Sequence, residues 1–206
     1  RSGIIQRPDS REYTPNMLII ADLKAKAQWC YNSTSWQALL KVCATDGTCA
    51  MFLYRLMQWS RRWRLIPLEM ICNRSNTVFC QCLIGRGAEF GPGFVLIHSQ
   101  GVVINGSVRG GKNIHVEHQV TIGAERNHSP ILGSDIFIGA GAQILGAVSI
   151  GDHARISANA VVVHDVPPDT TVVGIPARVV RTRQTDDAVV DSRRIDQSES
   201  GIHEHD

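Results

Sequence analysis

At 206 residues with a formal net charge of +2, the chain is long enough for a sizeable core in one or two domains, and its arginines are too scattered for a nucleic-acid footprint. No apolar run approaches the roughly 20 residues that a bilayer-spanning helix needs, and residues 17–21 (Met-Leu-Ile-Ile-Ala) are too short for a signal peptide and lead into a charged segment. The six cysteines, Cys30, Cys43, Cys49, Cys72, Cys80 and Cys82, form no CxxC pair and read as small buried thiols of a reducing compartment, so a cytoplasmic protein is expected.

Residues 1–16 are polar, contain Pro8 and Pro15, and read as a mobile lead-in. From Met17 to about Trp29, alanine, leucine and lysine favour a helix. Ser33 to Ser35 can cap a second one running through Trp36, Leu39, Leu40 and Val42. Gly47 breaks the chain ahead of the strongest helical segment, Met51 to Trp59, which is followed by Arg61, Arg62 and Arg64. Pro67 is expected to end or kink that helix, and residues 68–79 to lead into the next region. Trp29, Trp36, Trp59 and Trp63 all fall in this part and are expected as packing anchors.

From Ile84 onward the chain follows a period of six: Ile84, Phe90, Leu96, Val102, Val108, Ile114, Val120, Arg126, Leu132, Ile138, Ile144, Ile150, Ile156, Val162. All but Arg126 are apolar, in a chain that is 43% hydrophobic. A second row, Ile136, Ala142, Val148, Ala154, Ala160 and Val166, runs two residues ahead of the later ones. Neither a helix nor simple strand alternation has this period; a hexapeptide-repeat β-solenoid does. Three hexapeptides would close a triangular coil with the large apolar residue inside, and about four and a half coils would stack. The row fails at Arg126 and resumes in phase at Leu132, so Glu125 to Pro130 is expected to protrude as a loop, the usual place for function on such a scaffold. Pro167-Pro168 ends the pattern, Val172 to Arg181 is a last extended segment, and disorder is expected beyond it. The expected division is a helical region with its lead-in (1–78), a repeat domain (79–181) and a polar tail (182–206).

His98 and His128 are the candidate chemical groups, one after Leu96-Ile97 and one in the protruding loop. His115 and His118 lie on the coil between them, and His115, His153, His164, His203 and His205 are read as structural or surface residues. In the linear count His98 lies about two coils below His128, so the loop or a neighbouring chain would have to join them.

The run from Phe90 to Arg181 resembles the catalytic domain of the serine O-acetyltransferases, within the hexapeptide acyltransferases. Ile97-His98-Ser99-Gln100-Gly101 stands where that family has Asp-His-Ala-Thr-Gly, and Val120-Thr-Ile-Gly-Ala124 where it has Val-Thr-Leu-Gly-Gly. His128-Ser-Pro-Ile131 corresponds to its loop histidine, and Ile138-Gly-Ala-Gly-Ala-Gln-Ile-Leu-Gly146 is nearly its own sequence. Val166-Pro-Pro-Asp-Thr-Thr and Gly174-Ile-Pro-Ala-Arg178 are again close, and Tyr54-Arg-Leu with Trp59 is similar to its last helix before the solenoid. The likeness spans roughly residues 47–181.

This resemblance implies a mainly β fold, a left-handed parallel β-helix with a small N-terminal helical domain, which is an exception to the right-handed crossover rule. It also implies a homotrimer or a dimer of trimers, with sites in the clefts between solenoids, and acetyl-CoA as a co-substrate rather than a resident cofactor. His98 would be the general base, His128 would orient the acceptor, and His118, Arg126 and Asn127 would lie near the acceptor. Gly139, Ala140, Gly141, Ala142 and Ala160 would line the coenzyme groove, and Arg178 and Arg181 would meet its phosphates. An alcohol is a poor nucleophile, and an imidazole, ordinarily near pKa 6.5, can take its proton during attack on the thioester.

Departures from the family pattern bear on the acceptor. Ile97 replaces the acid before the base, and Leu83 and Gly106 stand where the family has an aspartate and a glutamate. With Ile97 beside it, His98 would be oriented by packing or by a carbonyl. A serine-like acceptor is the nearest named one, and a sugar or another hydroxyl compound is the alternative. A zinc lyase of the γ-carbonic-anhydrase kind, with His98, His118 and His128 as ligands, is a different class on the same solenoid; no metal is expected. Cysteine synthase binding is not expected, because Ile202 is not the last residue.

Overall fold

The computed structural model describes residues 13–126 and 128–182; Asn127, most of the expected lead-in and the tail beyond Thr182 lie outside the described residues. Among the described residues four helices come first: α1 (Pro15–Tyr31), α2 (Trp36–Cys43), α3 (Thr48–Arg62) and α4 (Ile66–Cys80). Ser35 caps α2, its hydroxyl accepting from the Ala38 amide at 3.3 Å. Residues 68–79 are helical, contrary to the expected lead-in. Pro67 starts α4 instead of stopping α3, because the first turn of a helix leaves its amides unpaired and proline has none to lose. No helix among the described residues is long and apolar enough to cross a membrane.

Fifteen short strands follow on the three faces of a prism. The first face holds β1 (Cys82–Ile84), β4 (Val102–Ile104), β7 (Thr121–Gly123), β10 (Gln143–Leu145) and β13 (Val161–Val162). The second holds β2 (Glu89–Phe90), β5 (Arg109–Gly110), β8 (Ile131–Leu132) and β11 (Ser149–Ile150). The third holds β3 (Val95–Leu96), β6 (His115–Val116), β9 (Phe137–Ile138), β12 (Arg155–Ile156), β14 (Thr170–Val173) and β15 (Arg178–Thr182). Every pairing is parallel except β14 with β15.

The register corrects the six-residue row. Ile84 pairs with Ile104, Phe90 with Gly110 and Leu96 with Val116, which is twenty residues per coil rather than eighteen. The next coil takes twenty-two on the second and third faces, Gly110 pairing with Leu132 and Val116 with Ile138. Thereafter the step is eighteen, Leu132 pairing with Ile150 and Ile138 with Ile156. The chain thus gains two residues after Leu96 and four more between Ile122 and Leu132. Together these make one whole hexapeptide, so the row returns to phase and hides both insertions. Val102, Val108, Ile114 and Val120 belong to the second row, and they kept the first row apolar because both rows face the core. His98 lies in the first insertion and His128 in the second.

The helices close the lower end of the prism. Ala50, Met51, Tyr54 and Met57 of α3 join the same buried cluster as the coil interior. Tyr54 meets Phe90 and Phe94 edge-on, with ring centroids 6.2 and 5.3 Å away, while those two rings stack at 4.3 Å. The Tyr54 hydroxyl donates to the Ala88 carbonyl at 3.1 Å. Trp29 of α1 is the anchor its type suggested, lying 4.7 Å from the His115 ring and 5.3 Å from Phe137 on the outer third face. Burial there lowers the pKa of His115, as befits a structural histidine. Trp36 and Trp63 are exposed and anchor no core; Cys30, Cys43 and Cys49 are exposed too, and only Cys72, Cys80 and Cys82 are the buried thiols expected.

One buried ion pair locks this arrangement. Arg55 donates to both carboxylate oxygens of Asp22, from Nε at 2.7 Å and Nη2 at 3.0 Å. Its remaining donors reach the carbonyls of Phe90 (2.9 Å) and Gly91 (2.7 Å) and Gln58 Oε1 (2.8 Å). Asp22 Oδ1 also accepts from the amides of Gly93 and Phe94, each at 2.9 Å. Burial works against the Arg55 charge, but the Asp22 carboxylate outweighs it and raises the guanidinium pKa. Removing one partner of such a pair strands the other charge. Arg55→Ala should therefore lower the unfolding free energy by about 3–5 kcal/mol, measured by urea titration; a loss under about 1 kcal/mol would mean that water reaches Asp22 and the pair is not the lock.

Candidate active site

His98 stands at the corner where the chain leaves β3 for β4, and its side chain is 51% exposed. Its Nδ1 lies 3.1 Å from Asp46 Oδ2. Asp46 belongs to the turn between α2 and α3, so the partner expected from packing or a carbonyl is a carboxylate 52 residues upstream. The other carboxylate oxygen accepts from the Gly47 amide at 2.8 Å and from the Ser99 hydroxyl at 3.3 Å. Burial pushes the Asp46 pKa up, but hydrogen bonds from His98, Gly47 and Gln100 outweigh it and hold the carboxyl below its ordinary value.

The Asp46 turn is fixed from behind. Lys26 of α1 is fully buried and donates to the carbonyls of Asp46 and Leu96, the latter at 2.8 Å. Burial pushes Lys26 down to about 8, with Cys30 and Asp46 pulling it back. Gly47 has φ +77°, and a Cβ there would meet the Leu96 carbonyl oxygen at 2.4 Å, so only glycine lets the turn lie this close to β3.

One coil up, the pairing of Leu96 with Val116 brings His118 over His98, with ring centroids 5.8 Å apart and edge to face. Glu117 flanks His118, with Oε2 3.6 Å from Nδ1. His128 is elsewhere. Its loop leaves the corner between the first and second faces, where Glu125 and His128 exchange backbone hydrogen bonds at 2.8 and 2.9 Å. The His128 Nδ1 lies 3.1 Å from the Arg126 carbonyl, and Ser129 bonds Ser107 at 2.7 Å below it. His98 and His128 thus occupy opposite edges of the first face. Within one chain the loop does not join them. Among the described residues of one chain no group of three or more His, Cys, Asp or Glu could hold a metal ion, and His128 does not join His98 and His118 within it.

The coenzyme candidates separate by burial. Ala142 and Ala160 are fully buried and fill the prism, so their side chains cannot line an outer groove as expected. Gly139 and Gly141 are required by coil stacking: a Cβ would meet the Ala158 amide nitrogen at 2.6 Å or Asn159 Oδ1 at 2.2 Å, and Gly141 has φ +70°. Ala140 is part-exposed above His118, at the same corner as His98. Arg178 is exposed, with Nη1 3.1 Å from the Ala177 carbonyl. Arg181 lines a hollow of about 600 Å³ with His153, Arg155 and Asp169. Sequence reasoning missed Asp46, Lys26 and Glu117. The Asp46-Gly47 dipeptide signals a turn, but nothing in the linear chain ties that turn to His98.

The bacterial transferase hexapeptide family (six repeats) matches residues 129–164. The serine acetyltransferase of Helicobacter pylori strain J99 is 33% identical over 149 residues, which cover 70% of this chain and 85% of that protein. The chain belongs to the serine acetyltransferase family. The structure of a Neisseria gonorrhoeae serine acetyltransferase in complex with serine superposes with a TM-score of 0.70 at 33% identity, covering 80% of this chain and 68% of that one. A serine acetyltransferase in complex with CoA gives 0.71 at 25% identity, covering 84% and 73%. The solenoid is accordingly the left-handed parallel β-helix of this family. Against the Synechococcus elongatus serine acetyltransferase, 35% identical, the matched region spans only 57% of that protein's length.

The stacking role of Gly139 can be separated from a ligand role. Gly139→Val should cost about 1–3 kcal/mol of stability by overpacking, seen as a lower Tm with no coenzyme present. A variant that melts with the parent and loses only coenzyme binding would return this glycine to the groove.

Proposed function

We propose that this chain transfers the acetyl group of acetyl-CoA to the hydroxyl of a small acceptor, with serine the nearest named one. The observation that carries this reading is the solvent-facing His98, bonded through Nδ1 to a carboxylate on a serine acetyltransferase scaffold. With Nδ1–H donating to Asp46, the neutral imidazole presents its free electron pair at Nε2, as a general base must. The base takes the acceptor proton as the alkoxide oxygen bonds to the thioester carbonyl carbon. The tetrahedral intermediate then expels the CoA thiolate, which recovers the proton from the imidazolium. Backbone amides near the corner would stabilise the oxyanion. No acyl-enzyme is needed if one cleft holds both substrates. The donor lies along the edge that carries Ala140, with Arg178 and Arg181 toward its phosphates.

A sugar or another acceptor without an ammonium group is the second reading, favoured by Ile97 beside the base and by the exposed Leu83 on β1. Glu117 is the carboxylate beside His118. A cytoplasmic setting goes with the proposal, since all six cysteines are free thiols.

The complete site is proposed to lie between chains of a trimer. The outer first face, bounded by the His98 and His128 corners, exposes Leu83, Val103 and Val163, and Phe79 of α4 is exposed nearby in the chain. Covering such a face would set the His128 loop of one chain against the His98 corner of another. Sedimentation is expected to find a trimer or a multiple of it; a stable monomer at micromolar concentration is the contrary result.

Free-thiol release with a panel of hydroxyl acceptors tests the chemistry. His98→Ala should lose about 10²–10⁴-fold in turnover while acetyl-CoA affinity stays near the parent's. Near-normal turnover in His98→Ala, with loss in His128→Ala, would transfer the base role to the loop histidine.

A further inference from the structure

We propose that Asp46, delivered by the turn between α2 and α3, is the positioning acid of His98, replacing from the helical cap the acids that the family pattern would place at Ile97 and Leu83. This rests on the acetyl-transfer reading above.

Three features set this contact apart from a chance surface pair. The first is that both carboxylate oxygens are committed, Oδ2 to His98 and Oδ1 to Gly47 and Ser99, so the carboxylate has one orientation. The second is that the main chain of the turn is tied to the strand carrying the base. Lys26, fully buried, bridges the Asp46 carbonyl to that of Leu96, two residues before His98. The third is the close approach itself, which Gly47 at φ +77° permits and a Cβ would forbid. An exposed aspartate that merely neutralised a histidine would need neither the buried lysine nor the glycine.

The chemistry follows from which nitrogen is held. A carboxylate accepts only, so it selects the tautomer with the proton on Nδ1 and keeps Nε2 free to receive the acceptor's proton. It also stabilises the imidazolium formed during attack, in the manner of the acid of a catalytic triad. The groups facing His98 are Asp46 from the cap turn and His118 from β6, with Glu117 behind His118 and Lys26 behind the Asp46 main chain. Among the described residues, Asp46 is the one that bonds the ring directly.

Asp46→Asn is the decisive variant. Its amide can still accept from Gly47, but it donates toward Nδ1 and so favours the wrong tautomer. In the whole chain, with acetyl-CoA and the best acceptor of the panel, kcat should fall about 10²-fold or more. The KM for acetyl-CoA should stay within about twofold and Tm within a few degrees. Asp46→Glu should recover part of kcat, which a purely structural role for the turn would not explain. If Asp46→Asn folds poorly, Ser99→Ala, which frees one hold on the carboxylate, should still lower kcat severalfold without changing acetyl-CoA KM. Parental kcat in Asp46→Asn would overturn the positioning role and leave the His98→Ala result to judge the transfer reading by itself. If the parent releases no thiol with any acceptor, that reading fails, and this inference with it.

Discussion

The Asp22–Arg55 ion pair holds the helical cap to the solenoid, and the candidate site inherits its geometry. Two buried charges are costly to desolvate, and their mutual attraction offsets that only where every remaining donor and acceptor is satisfied. Here Asp22 also takes two backbone amides of the first coil and Arg55 gives to two of its carbonyls. The pair therefore reads the backbone of the coil as well as the opposite charge, fixing α1 and α3 in position and rotation. Lys26 lies one turn beyond Asp22 on α1, on the same side of the helix, and reaches Leu96 from there. Trp29, three residues on, lies over His115 and Phe137. A single stripe of one helix thus contributes the lock, the tether of the Asp46 turn and the outer anchor.

That stripe explains what was legible in the sequence and what was not. Hydrophobic periodicity exposed the solenoid, because its interior is filled by apolar side chains at a fixed step. It was silent about α1, whose docking face is Asp22, Lys26 and Trp29 rather than a row of leucines. The same periodicity concealed the true register, since two apolar rows of period six, offset by two residues, let an insertion of two and an insertion of four pass as unbroken phase. The strand pairings, such as Leu96 with Val116 and Ile84 with Ile104, reveal the extra residues at the His98 corner. Pro67 misled for a related reason: proline marks a helix boundary without saying on which side the helix lies.

Within the candidate site, the histidines were visible by type and motif, whereas their partners were not. His118 lies over His98 because a coil of twenty residues places it there. Asp46 arrives from a different part of the chain altogether. Likewise, the small residues from Gly139 to Ala142 look alike in sequence, yet two are demanded by coil stacking, one fills the prism and only Ala140 remains for the outside. The geometry of this corner is shared between a rigid coil and a cap that folds against it, so loosening the cap would part Asp46 from His98 before it unfolded the solenoid.

The upper end of the prism has its own logic. A parallel coil ends in a strand whose unpaired edge would accept another parallel strand, and a stack of identical coils could in principle grow end to end. Here β15 turns back and pairs antiparallel with β14, with an irregularity between Thr171 and Val172. The last edge on the third face therefore has reversed polarity and a local kink, and it carries Arg178 and Arg181 along the strand. A second solenoid approaching axially would meet a hydrogen-bond ladder of mismatched polarity there, so the final hairpin disfavours growth of the stack end to end.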